Sequence, residues 1–420
     1  MNSENEIIFI LPYLNLNTTS NARFKSFIFS FIERGASVKI ITFKHPIKRN
    51  VGLANQFSPK PLETILESRQ VVVVPELNLL QRFSFFILNT VQSELWKVFN
   101  RVHQVIYGAD IFSPGKLNLS DLNISKNKNH VVIACGGPFG IYDYASQLAK
   151  KLNAKLILDY RDPWTFGYIP LSSSRMIYRM AVFFNRRREL MFLEQACSIT
   201  TVSMSLKRKF PVRFQGKISV LENGSDFAEE QIEKRPREIF TIVYLGTLYN
   251  EQLEDDVFFR ALSEFQKINH LSPDFFKVWF LGSSTNKVLP NLIHHFSLQN
   301  YVEVTERLDA LAVQEHLEKA SVFLHLKYGN RTEIISSKQA DYLMFRKPIL
   351  LPNTDNGDIA ESIINNKAGY VCDGKVESIV SVLQKEYDNF LRGESNILED
   401  RDLSYLSRTK IAEKLLEIIV

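Results

Sequence analysis

Short apolar runs alternating with stretches of helical spacing constrain this chain more than any other feature. Residues 7–11 form the first run, closed by Pro12, and its unbroken apolar character is that of a strand buried on both faces. A polar loop follows. Phe24, Phe27, Ile28, Phe31 and Ile32 then recur three and four apart before Gly35, which predicts a helix stopped by a C-terminal glycine. A second strand at 38–43 completes a βαβ unit, and further strands are expected at 71–74, 131–134, 155–159, 198–202 and 218–221. Alternation of this kind gives a mostly parallel α/β sheet.

The pattern lapses over residues 222–238, from Glu222-Asn223-Gly224-Ser225-Asp226 to the charged run Lys234-Arg235-Pro236-Arg237. It then restarts, with strands expected at 240–245, 278–281, 301–304, 322–326 and 348–351. Two Rossmann-like domains in tandem are therefore expected, at 1–226 and 227–400, with a C-terminal helix at 401–420 that packs back on the first. Such sheets bind ligands outside the carboxyl ends of their strands, which makes a cleft between facing domains the expected site. The formal net charge of +5 divides unevenly: 29 basic and 16 acidic residues give +13 over 1–226, while 22 basic and 30 acidic give −8 over 227–420.

Several classes lack their signatures. The loop 12–21 holds no glycine, so the dinucleotide fingerprint G-x-G-x-x-G is missing, and no P-loop occurs. Cys135, Cys197 and Cys372 are too scattered for a disulfide framework or a zinc pattern, and they fit a reducing cytoplasm. No secretory signal is visible at the N-terminus, and the greasiest stretch, 83–91, is far shorter than the roughly 20 residues a spanning helix needs. Asp400-Arg401-Asp402 resembles a metal-binding triplet but sits where a helix cap is expected, and the side chains of His294-His295 diverge on a helix. No bound metal is expected, and no nucleic-acid module is present.

Residues 326–350 are the most informative: LKYGNRTEIISSKQADYLMFRKPIL. A strand ends near Leu326, a polar loop carries Arg331 and Glu333, and Ser336 or Ser337 can cap a helix reaching Phe345. Ser337, Lys338 and Asp341 share one face near its start. The free N–H groups there, with the Lys338 charge, suit a diphosphate, and a carboxylate one turn on can accept from ribose hydroxyls.

The spacing of Glu333 and Asp341, with seven residues between, resembles the E-x7-E element of GT-B glycosyltransferases of family 4, the group 1 transferases, with Asp for the second Glu. Leu158-Asp159-Tyr160-Arg161-Asp162-Pro163-Trp164-Thr165, preceded by Gly136-Gly137-Pro138, is similar to the RDPW segment of a bacterial subset. Glu222-Asn223-Gly224-Ser225-Asp226 resembles the end of that family's first domain, and Tyr244-Leu245-Gly246-Thr247-Leu248-Tyr249 the start of its second. The resemblance implies the GT-B fold and a metal-independent, retaining transfer of a sugar from a nucleotide diphosphate sugar. By the same likeness Glu333 contacts the donor sugar, Asp341 holds the ribose, and Gly246, Thr247, Ser337 and Lys338 meet the diphosphate. Asp162, Arg161, Trp164 and Gly137 face the acceptor, a lipid-linked or surface polysaccharide precursor such as lipopolysaccharide, O-antigen or capsule. The chain departs from the family at 250–256, NEQLEDD, where relatives carry a basic residue on the diphosphate; Arg331 is the expected substitute, and Asn17, Thr18 and Arg23 are candidates on the first loop. The alternative is a GT-B-like scaffold subunit of a polysaccharide assembly complex. An epimerase of the same fold would need acid-base groups that the sequence does not display.

One more segment, 175–193, combines Met176, Ile177, Met180, Phe183 and Phe184 at helical spacing with Arg175, Arg179, Arg186, Arg187 and Arg188. A helix of this kind can rest on anionic lipid headgroups. The expectation is a cytoplasmic protein held peripherally at the inner face of the cell membrane.

Overall fold

The computed structural model describes residues 5–11, 19–43, 71–74, 102–103, 105, 122, 124, 128–137, 139–167, 176–227, 238–394 and 402–419. The chain divides into two compact units, one running to Glu222 and taking in Thr409–Val420, the other comprising Asn223–Arg408.

In the first unit seven strands form one sheet: β1 Asn5–Leu11, β2 Ser37–Phe43, β3 Val71–Val74, β4 Asn129–Cys135, β5 Lys155–Tyr160, β6 Ser198–Thr201 and β7 Ile218–Val220, in the order β3-β2-β1-β4-β5-β6-β7. Every pairing is parallel, with Ile7 opposite both Val38 and Val131. The apolar runs are continuous because helices cover both faces; six of the seven residues of β4 are buried. One core gathers Ile7, Phe9, Ile133 and Ile157 with Phe24, Phe27 and Phe31 of the helix Thr19–Glu33. The same core takes Ile411, Ala412, Leu415 and Ile419 from the helix Arg408–Ile419.

Arg23 lies inside this unit rather than on a phosphate loop. It is 1% exposed, donates to Leu221 O at 2.9 Å and pairs with Asp159 at 3.5 Å, while the Thr200 hydroxyl donates to the same carboxylate at 2.5 Å. Removing one member of a buried pair strands the other charge, at about 3–5 kcal/mol. Arg23 is therefore part of what holds the carboxyl end of β5. Asn17 and Thr18 lie outside the described residues.

The second unit has six parallel strands: β8 Phe240–Leu245, β9 Phe276–Leu281, β10 Val302–Val304, β11 Val322–Leu324, β12 Ile349–Leu351 and β13 Gly369–Val371, ordered β10-β9-β8-β11-β12-β13. Ile242 and Tyr244 pack on one face with the helices Val257–Ile268 and Val376–Leu391; Val243 and Phe323 pack on the other with Ala310–Lys319 and Ser337–Met344. The edge strand β13 was not anticipated from the sequence. It is three residues long and only half-buried, so it offers no apolar run. It opens on Gly369, at φ +148° and so close to Ile349 that a β-carbon would lie 2.1 Å from the Ile349 carbonyl oxygen. Glycine is needed for that approach.

Candidate functional site

In the second unit the carboxyl ends of β8 and β9 turn sharply at Gly246 (φ +97°) and Gly282 (φ +78°). The two turns lie side by side: a β-carbon on Gly282 would sit 3.6 Å from Gly246 Cα. The Ser283 hydroxyl donates to Gly246 O at 2.8 Å, and Gly282 N–H donates to the Thr305 hydroxyl at 3.1 Å. The positive φ at both turns, more than crowding, is what favours glycine there.

Lys338 reaches this place from the helix Ser337–Met344. Its Cε is 3.9 Å from where a Gly246 β-carbon would be, its Nζ donates to the Tyr244 hydroxyl at 2.6 Å, and the side chain is 6% exposed. Burial lowers its pKa from 10.5 to about 7, since desolvation penalises the charged form. Ser336 holds the N-cap position, but its side chain makes no capping bond.

One turn further, Asp341 accepts from the Ser225 hydroxyl at 2.7 Å. Burial raises its pKa to about 6, with Arg408 and the Ser225 bond pulling down and Asp226 pushing up. Arg408 itself pairs with Asp226. The Asn-Gly-Ser-Asp segment thus supports this carboxylate, a role that its sequence did not disclose.

Glu333 is buried in the loop after β11, with its carboxylate accepting from Thr332 N–H at 3.1 Å. That loop is pinned at several points. Asp358 N–H donates to Thr332 O at 3.0 Å, the Asn223 side chain donates to Ile335 O at 3.0 Å, and Gly357 leaves no room for a β-carbon, which would fall 2.2 Å from Thr332 O. Arg331 is engaged as well: its guanidinium donates to both oxygens of Glu251, at 2.7 Å to Oε2. Its charge closes the loop onto the 250–256 segment. That acidic segment lines a groove together with Leu326, Lys327 and Gly329, and Asn353 donates to Asp255 at 2.7 Å. Thr247 contributes its carbonyl oxygen, which lies 3.2 Å from the Tyr244 hydroxyl.

A second cluster belongs to the first unit. Gly137 (φ +94°) lies against Asp162, whose exposed carboxylate pairs with the neighbouring Arg161. Trp164 stacks on Phe139 with ring centroids 5.1 Å apart, and lies nearly parallel to Phe192 at 6.4 Å. Beneath the loop, Glu189 is fully buried and accepts from Thr165 N–H at 2.9 Å and from the Thr165 hydroxyl. Burial pushes its pKa to about 7. In sequence Glu189 follows three arginines and resembles part of a solvated face; only the fold shows it to be an internal clamp. Arg186 donates to Thr165 O at 2.8 Å with its guanidinium over the Phe166 ring, and Arg188 pairs with Asp143 at 2.7 Å.

On the helix Met176–Gln195, then, Arg186 and Arg188 serve the fold, whereas Arg179 and Arg187 are exposed. Met176, Phe183 and Met191 of the same helix are 75%, 55% and 58% exposed. Arg175 lies outside the described residues, as do the apolar stretch 83–91 and Asp400. Asp402 caps the turn Ser404–Leu406 by accepting from Ser404 N–H at 2.9 Å. Among the described residues no helix is long and apolar enough to cross a membrane, and no three His, Cys, Asp or Glu side chains group as metal ligands.

No protein-family model matches the chain, and no curated protein sequence matches it. Solved structures do. Sucrose-phosphate synthase from Thermosynechococcus elongatus is 11% identical with a TM-score of 0.60, and Anabaena Alr3699/HepE in complex with UDP-glucose is 12% identical with a TM-score of 0.58; each match covers 98% of both chains. A glycosyltransferase from Rickettsia africae ESF-5 is 15% identical, covering 99% of this chain and 98% of that one, with a TM-score of 0.57. The fold is GT-B.

The raised pKa of Glu189 carries a pH dependence. A carboxyl whose pKa rises from 4.5 to about 7 on folding stabilises the fold fully below pH 4.5, and that contribution is lost as pH rises to about 7. Denaturant midpoints of Glu189→Gln should therefore fall less between pH 5 and pH 7 than those of the parent protein. Parallel pH profiles for the two proteins would contradict the clamp's assignment.

Proposed function

We propose that this chain is a glycosyltransferase that moves a sugar from a nucleotide diphosphate sugar to a glycan or lipid-linked acceptor. The observation that carries the reading is Lys338: a buried amine, with a tyrosine hydroxyl as its partner, beside a glycine turn at the carboxyl edge of a parallel sheet. A desolvated, strongly perturbed group at the carboxyl edge of a sheet is a candidate for a functional site, and an anion is the ligand that suits an amine. The resemblance of Glu333 and Asp341 to the E-x7-E element supports the same reading, as does the likeness of fold to a protein solved with UDP-glucose.

In the reaction the bond from the anomeric carbon to the diphosphate breaks and negative charge grows on the leaving oxygen. Lys338 and the Gly246 turn lie where that charge develops, the place where preorganised cations and dipoles act most strongly. Asp341, ionised above about pH 6, accepts from a ribose hydroxyl, and Glu333 contacts the sugar. Asp162, with Arg161, Trp164 and Gly137, meets the acceptor. Arg331 supports the loop through Glu251 rather than gripping phosphate. The transfer proceeds with retention and without a metal, and the acceptor is a lipopolysaccharide, O-antigen or capsule precursor at the cytoplasmic face of the membrane. Arg179 and Arg187, among exposed Met176, Met180, Phe183 and Phe184, form the lipid-facing surface.

A scaffold without catalysis is the second reading, favoured by the acidic 250–256 segment standing where relatives place a cation. Turnover and calorimetry separate the two. With a donor found among UDP-, GDP-, dTDP- and CMP-linked sugars, Glu333→Ala should lower transfer at least about 100-fold. Asp341→Ala should weaken donor binding roughly 10- to 100-fold through a lost charged hydrogen bond. Unchanged turnover in both variants sinks the site, and no heat with any donor favours the scaffold. For the lipid surface, the protein should float with anionic vesicles and not neutral ones, less so at high salt. Equal flotation with neutral vesicles excludes the electrostatic attachment.

A further inference from the structure

A lysine amine withdrawn from water usually finds a carboxylate, because an isolated buried charge is costly. Lys338 finds a phenol instead. Its Nζ is 2.6 Å from the Tyr244 hydroxyl and 3.9 Å from the centre of the Tyr244 ring, and Tyr244 itself is wholly buried. The nearest carboxylate along the helix, Asp341, is bonded to Ser225 instead. The phenol is fixed in turn. Having accepted from Lys338, it has one hydrogen to give, and Gln252 Oε1 at 3.1 Å and Thr247 O at 3.2 Å are there to take it. Gln252 is locked by accepting from Tyr249 N–H at 3.1 Å and donating to Leu326 O at 2.9 Å. The hydroxyl cannot turn away without breaking this set.

We propose that Tyr244 is a positioning residue: its hydroxyl accepts the hydrogen bond that holds the Lys338 amine at the Gly246 turn, ready for an incoming diphosphate. The inference rests on the donor-binding reading above and adds to it the device that makes a buried, carboxylate-free lysine usable. Tyr244 lies on β8 and Lys338 on the helix Ser337–Met344, so the bond also ties that helix to the turn. On arrival of the diphosphate the amine takes a proton from solvent, if it lacks one, and pairs with phosphate oxygen while the phenol remains its second partner.

The groups that face this amine set the pH dependence. They are Tyr244 on β8, whose pKa burial raises well above 10, and His325 at the end of β11, which burial and the Lys338 charge hold neutral with a pKa near 3. Asp341 lies one turn along on its own helix. Of these groups Asp341, at about 6, and the amine, at about 7, titrate near neutrality, and only the amine carries positive charge to an anion. An anion favours the charged amine, so diphosphate affinity should fall as pH rises through 7, with proton uptake on binding above it. Removing the acceptor weakens the charged form and moves the fall to lower pH.

The test uses Tyr244→Phe in the intact chain, which keeps the ring and deletes only the hydroxyl. Calorimetry with UDP, GDP and dTDP from pH 5.5 to 8.5, in buffers of different ionisation enthalpy, reads affinity and proton uptake together. The variant should bind about tenfold more weakly at pH 8, with its midpoint shifted about one unit toward acid, the shift equivalent to a tenfold change. Lys338→Gln should abolish the part of the pH step centred near 7 and the proton uptake above it. A Tyr244→Phe midpoint and affinity equal to the parent's overturn the proposal while leaving donor binding intact. Lysine ¹³Cε NMR of the parent protein tests it without nucleotide: Lys338 should titrate near 7, and titration near 10.5 overturns the proposal even if the variant does not fold. If Lys338 titrates near 7 and shifts in the variant but no nucleoside diphosphate binds, the coupling stands and the transfer reading fails.

Discussion

A sheet whose strands all run the same way collects every carboxyl end along one edge, and both units of this protein are organised by that constraint. The helices that return the chain also start at that edge, so their unsatisfied N–H groups point toward it. In the second unit the edge presents the Gly246 and Gly282 turns and the start of the Ser337–Met344 helix. In the first it presents Gly137 and the Arg161–Asp162 pair after β4 and β5. Neither cluster exists without the strand order that places non-adjacent segments together.

What makes the edge of the second unit chemical rather than merely structural is how its charges are held. Two are neutralised within the fold, Arg331 by Glu251 and Arg408 by Asp226. Asp341 and Lys338 differ, because the partner of each is a neutral hydroxyl, that of Ser225 and that of Tyr244. A fold gains little stability by burying an amine this way, so the arrangement makes sense as preparation for an anion. The pinned Thr332–Glu333 backbone fits the same proposal, since a carboxylate offered to a sugar is best held on a fixed loop.

The sequence displays the sheets well because strands buried on both faces are continuous apolar runs, as at β1, β4 and β8. The edge strand β13, with Gly369 and half-buried neighbours, carries no such run. The helix bearing Lys338 and Asp341 is legible from spacing. Its electrostatics are not, because the burial of Lys338 depends on Tyr244 far upstream. Charged residues are the hardest to place from sequence: Glu189, Arg23, Arg186 and Arg188 resemble solvated surface or ligand groups, yet each is spent on internal contacts. Whether a charge is available or already answered is a tertiary fact.

The central claim is that the Gly246 turn and Lys338 receive a diphosphate while Asp341 receives a ribose. A crystal structure of the protein with a bound nucleoside diphosphate tests this most directly. The account predicts phosphate oxygens against the Gly246 turn within hydrogen-bond distance of Lys338 Nζ, and a ribose hydroxyl on the Asp341 carboxylate. A nucleotide seated elsewhere, with Lys338 out of reach of its phosphates and Asp341 bonded to Ser225 alone, would contradict it.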